Sequence, residues 1–115
     1  MEICKMSKTS ATTNSILMFL NNSGYKAWAV YNGAVYSIKR NNFLKNPNKL
    51  KGVPDINGYR KSDGKAIYIE IKTGKDRLSE SQDYFLTEAN KAGCITMIVK
   101  NYDDFEKQFI NQTTP

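Results

Sequence analysis

The chain has no histidine among its 115 residues. That absence removes the Ser-His-Asp and Cys-His nucleophilic mechanisms, and every nuclease that uses imidazole as base or metal ligand. Cysteine is scarce. Cys4 and Cys94 make no disulfide framework, and two cysteines without a histidine argue against a structural zinc site. Cys94 opens the apolar run CITMIV and reads as a small buried hydrophobe. No apolar run approaches the ~20 residues that span a bilayer. The opening stretch MEICKMSKTSATTN lacks the apolar core of a signal peptide, so a cytoplasmic location is expected. Acids are in the minority, 11 against 17 bases, for a net charge of +6. Such a surface favours polyanionic partners, chiefly nucleic acid, although charge alone also serves solubility. An enzyme built from this composition must work with carboxylates, lysine and a hard metal ion.

What is present fits one domain over residues 1–115, with 1–10 and 112–115 expected to be flexible. A helix is predicted from about Thr12 to Asn22, where Ile16, Leu17, Phe19 and Leu20 form an apolar stripe and Gly24 stops it. In the run that follows, Asn32-Gly33 signals a hairpin or a looser loop. Residues 41–52, NNFLKNPNKLKG, read as a basic loop. A second hairpin with Asp63-Gly64 at its turn comes next. Then a helix opens on a Ser79–Gln82 capping box and closes at Gly93, followed by the strand CITMIVK and a last helix. The strand, helix and strand from 66 to 100 predict a crossover joining parallel strands. The expected order is αβββαβα, an α/β domain with a mixed sheet.

The stretch AIYIEIKTG carries the chemistry. Read with period two, Ile67, Ile69 and Ile71 face a core, while Tyr68, Glu70 and Lys72 face the other way. If Asp63-Gly64 is a two-residue type I′ turn, Ser62 pairs with Lys65. Asn57 then faces Glu70, Ile56 faces Ile71, and Asp55 faces Lys72. Asp55 and Glu70 become diagonal neighbours on one face, about 7 Å apart at the backbone. Two carboxylates with other oxygen donors suit Mg²⁺ or Mn²⁺, and a lysine beside such an ion can orient water and offset charge. The competing reading makes Glu70 and Lys72 a solvated outer face. The convergence of Asp55 after Pro54, with Lys75 and Arg77 following, favours a site.

These residues resemble a known signature. Gly52-Val53-Pro54-Asp55, then Glu70-Ile71-Lys72, then Gln82 opening a helix, looks like the PD-(D/E)XK nucleases, and within them the small VRR-NUC domains, often stand-alone phage or bacterial proteins. The resemblance runs from the first helix to CITMIVK. It implies a restriction-endonuclease-like core and a Mg²⁺- or Mn²⁺-dependent deoxyribonuclease. Asp55, Glu70 and the Ile71 carbonyl would be metal ligands, Lys72 catalytic, and Gln82 a site residue as well as a helix cap. The family's first helix usually supplies a supporting glutamate. Here that helix holds no acid, and by the resemblance Asn14 is expected to stand in its place, as an amide oxygen or through water. The departure keeps open a second reading, a nuclease-fold DNA-binding module with little catalysis.

Lys39, Arg40, Lys45, Lys49 and Lys51, with Lys75 and Arg77, are the candidate phosphate contacts. Trp28, Tyr31 and Tyr36 read either as base-stacking rings or as core. One site cuts one strand, so a homodimer is expected, using the first helix with Phe19 and the aromatic run from Trp28 to Tyr36. Stand-alone VRR-NUC proteins imply the same pairing.

Overall fold

The computed structural model describes residues 8–30, 35–37, 42–44 and 51–113. The Asn32-Gly33 signal and Lys39, Arg40, Lys45 and Lys49 lie outside these residues. Helix α1 (Lys8–Asn21) leads into strand β1 (Tyr25–Ala29). The short strands β2 (Val35–Ser37) and β3 (Asn42–Leu44) pair only with each other, among the described residues. Then come β4 (Ile56–Arg60), β5 (Ala66–Ile71), α2 (Glu80–Lys91), β6 (Ile95–Val99) and α3 (Tyr102–Thr113). Without the β2–β3 pair, the order is the expected αβββαβα.

The main sheet runs β1-β4-β5-β6. β1, β4 and β5 are antiparallel neighbours, and β6 joins β5 in parallel, as its helical crossover requires. This is a mixed four-stranded sheet flanked by helices, the expected α/β arrangement. No helix among the described residues is long and apolar enough to cross a membrane.

One face of the sheet makes the core. Ile56, Ile67, Ile69, Ile95, Met97 and Val99 point into it from the strands, at the alternate positions that pleating sends to one side. Ile16 and Leu20 of α1, spaced four apart on one helical stripe, and Phe105 of α3 close it. Phe19 meets Phe105 and Phe109 edge-on at 5.6 and 5.1 Å. The ring expected to serve a dimer face thus packs within the protomer.

Helix α1 begins at Lys8 and α3 reaches Thr113. Asn21 ties α1 to the sheet. Its amide accepts the Ala27 N–H at 3.0 Å and donates to the Ala27 carbonyl at 3.1 Å, acting as a strand partner.

The β4–β5 hairpin corrects the expected register. Arg60 and Lys65 close a four-residue loop, Lys61–Gly64, with Arg60 N–H on the Lys65 carbonyl at 2.8 Å and Gly64 N–H on the Arg60 carbonyl at 2.7 Å. Asp63 is the reason. Its carboxylate grips the Arg60 guanidinium at 3.0 and 2.7 Å and accepts the Lys65 N–H at 3.1 Å, and Gly64 turns the chain at φ +77°. These bonds hold Asp63-Gly64 in the second half of a wider loop. Ile56 therefore pairs with Ile69 and Asn57 with Tyr68, two residues from the type I′ register. A two-residue shift preserves the faces, because side chains alternate with period two.

Candidate active site

Continuing this register places Asp55 directly opposite Glu70, and Pro54 opposite Ile71. The ladder changes character there. An ordinary residue at 54 would exchange two backbone bonds with Ile71. Proline has no N–H, so β4 offers the Ile71 carbonyl no donor at that point. The Pro54 carbonyl turns to the Asn57 amide at 2.9 Å. The Ile71 N–H instead donates to Asp55 Oδ2 at 2.8 Å. Asp55 is held from both sides, since Val30 N–H donates to its carbonyl at 2.8 Å. Pro-Asp at the start of the strand thus withholds one N–H from the Ile71 carbonyl and sets the Asp55 carboxylate on the Ile71 N–H.

Glu70 lies on the same face and is 2% exposed. Gln82 reaches it from α2. The Gln82 Oε1 accepts the Ser79 N–H at 2.9 Å, completing the capping box, which leaves its Nε2 to donate to Glu70 Oε1 at 3.3 Å. Lys72, 19% exposed at its side chain, brings its ammonium to 3.7 Å from the same oxygen. Glu70 Oε2 is buried and has no hydrogen-bond partner. Burial first, then the neighbouring Asp55 carboxylate, push the Glu70 carboxyl up to about 8, with Lys72 opposing. Buried polar atoms are nearly always satisfied, so an oxygen left without a donor beside a second carboxylate calls for an explanation.

A divalent cation fits this donor set. The Glu70 Oε2, the Asp55 carboxylate and the Ile71 carbonyl, to which Pro54 offers no N–H, are hard oxygens. Among the described residues no three Asp, Glu, His or Cys side chains cluster. The remaining ligands would be water or substrate, a common arrangement for Mg²⁺.

Gly52 locks the site to α2. Its φ is +78°, and a Cβ there would collide with the Ser81 carbonyl oxygen and come within 2.8 Å of the Gln82 nitrogen. The segment before Asp55 therefore lies directly against the first turn of α2. Nothing in the sequence except the glycine pointed to that contact. Tyr68 and Phe85, edge-on at 5.0 Å, hold α2 over β5.

Asp55, Glu70, Ile71, Lys72 and Gln82 are thus brought together. Lys51, Lys75 and Arg77 are exposed on the segments that lead into Pro54 and out of β5. Asn14 is exposed on α1, two residues before buried Ile16. α1 carries no acidic residue in its length.

A mixed sheet with a proline-aspartate strand start, a facing E-x-K strand and a helix closing over the glutamate defines a nuclease-type α/β domain. The VRR-NUC domain profile matches residues 7–101, and the chain belongs to that family. No curated protein and no solved structure matches it significantly.

Proposed function

We propose that this chain is a Mg²⁺- or Mn²⁺-dependent nuclease that hydrolyses phosphodiester bonds in DNA, acting in the cytoplasm of a bacterial or phage-infected cell. The observation that carries the reading is the buried Glu70 carboxyl set against the Asp55 carboxylate, with no protein donor on its Oε2. Asp55, Glu70 and the Ile71 carbonyl would hold the ion. When bound, such an ion lowers the pKa of water and offsets charge on a phosphate. Gln82 keeps Glu70 in its rotamer, and the capping box in turn fixes Gln82. The Lys72 ammonium, one residue past the end of β5, holds the attacking water and offsets charge as it builds on the phosphoryl oxygens. Lys51, Lys75 and Arg77 contact the flanking phosphates. Two strands need two such sites, so the species that breaks a duplex is a homodimer.

The acid-free α1 favours one other reading, a DNA-binding module with little catalysis. Plasmid, single-stranded and branched DNA incubated with Mn²⁺ or Mg²⁺ separates the two. Cleavage that chelator abolishes is expected. Tight binding of all three without cleavage under either metal would select the binding module.

A further inference from the structure

The face of the sheet that carries Asp55 and Glu70 is not uniform. Over β5, α2 covers it through the Tyr68–Phe85 contact. Along β1 and β4 the same face presents Lys26, Trp28, Asn57 and Tyr59, the positions that alternate with buried Tyr25, Ala27, Ile56 and Gly58. Trp28 is 46% exposed and Tyr59 43%. Their rings meet edge to face with centroids 6.4 Å apart. Lys26 lies directly opposite Tyr59, and Trp28 directly opposite Asn57. Asp55 is two residues before Asn57 on that strand, which makes it a diagonal neighbour of Trp28, about 7–8 Å away at the backbone.

Single exposed aromatics need no explanation, but two in contact beside a candidate active site do. We propose that Trp28 and Tyr59 form a stacking platform for an unpaired nucleobase next to the phosphate held at Asp55 and Glu70, with Lys26 on a neighbouring phosphate. The proposal rests on the nuclease reading above and narrows its substrate to DNA with single-stranded nucleotides at the cut. Aromatic faces interleaved with a cation bind single strands, because every free base offers a π-face and every nucleotide a phosphate. A paired duplex keeps all but its two terminal base faces within its own stack. A second copy of the chain fits less well. Two rings fall far short of the roughly 800 Å² per partner of a standard interface, and a dyad through them would bring Lys26 against Lys26.

Trp28 is the single tryptophan of the chain, so its emission reports this surface directly. The full-length protein, in chelator so that no strand is cut, is titrated with an oligothymidylate, with an abasic strand of equal phosphate number, and with a blunt duplex. Anisotropy of end-labelled DNA follows binding in parallel. The oligothymidylate should quench Trp28, whereas the abasic strand and the duplex should bind without quenching. Tyr59→Ala should weaken oligothymidylate binding about 5- to 150-fold and leave duplex binding unchanged. Oligothymidylate binding without quenching would overturn the platform and leave the nuclease reading standing. Equal quenching by the abasic strand would do the same. An emission shift that follows protein concentration alone, with a dimer in sedimentation, would assign the surface to self-association instead. Failure of any DNA to bind would remove the platform together with the reading beneath it.

Discussion

The Asp55 carboxylate accepts the backbone N–H of Ile71 at 2.8 Å, the place that a backbone carbonyl would fill in an uninterrupted sheet. One side chain thereby ends the β4–β5 ladder and fixes its own position opposite Glu70. Asp55→Ala would leave that N–H without a partner at the edge of the site, costing about 1–3 kcal/mol. Asp55→Asn keeps an acceptor for Ile71 and should restore most of the stability but not the metal affinity. Denaturant titration and Mn²⁺ calorimetry on the two variants would separate the roles. Wild-type Mn²⁺ affinity in Asp55→Asn would mean that Asp55 is structural only.

Glu70 makes the metal-free protein sensitive to pH. Burial and the Asp55 carboxylate push its carboxyl up to about 8 in the folded state, from the ordinary 4.5 of the unfolded chain. Between these values the native state holds a proton that the unfolded chain has lost, so stability falls as pH rises through the window and is flat on either side. The slope is at most about 1.4 kcal/mol per pH unit. Glu70→Gln should abolish it and make the metal-free protein more stable at the alkaline end. Parallel stability–pH curves for the two proteins in chelator would refute the assignment.

The same proton should leave when metal binds. Ionised Glu70 is the ligand, so near neutral pH Mn²⁺ uptake should release about one proton. Calorimetry in buffers of different ionisation enthalpy measures this number. Release close to zero would mean that Glu70 is already ionised, or is not a ligand.

Gln82 and Ser79 share the capping box, but only Gln82 touches Glu70. Ser79→Ala and Gln82→Ala should each cost on the order of 1 kcal/mol of stability. Cleavage should fall only in Gln82→Ala. Equal cleavage by both variants would reduce Gln82 to a cap.

Gly52→Ala should destabilise by about 1–3 kcal/mol from its left-handed backbone alone. It should also displace the first turn of α2, lowering cleavage more than the stability loss explains. Wild-type melting and cleavage would show that the close approach to Ser81 is not maintained in solution.

Much of this was legible in the sequence because the rules involved are local. Alternation in AIYIEIKTG sorts Glu70 from the core isoleucines, and S-x-x-Q marks the start of α2. The hairpin register was not legible. It depended on Asp63 engaging Arg60 and Lys65, a competition between side-chain and turn geometry that Asp-Gly alone does not decide. The face assignment survived because the slip was an even number of residues. Phe19 and Trp28 were equally ambiguous as apolar residues on regular elements. Only the packed neighbours show that the first fills the core and the second does not. Tyr59 gave no signal, since its partner lies across a strand pair far from it in sequence.

The most direct measurement is metal-dependent cleavage by Lys72→Ala beside the wild type, with Mn²⁺ affinity recorded on both. Lys72 is off the core face and is not among the metal ligands, so folding and Mn²⁺ affinity should persist. Cleavage should drop by about 10²-fold or more, the scale for losing a positioned group at the reacting phosphate. A wild-type rate in Lys72→Ala, with metal bound, would contradict the account.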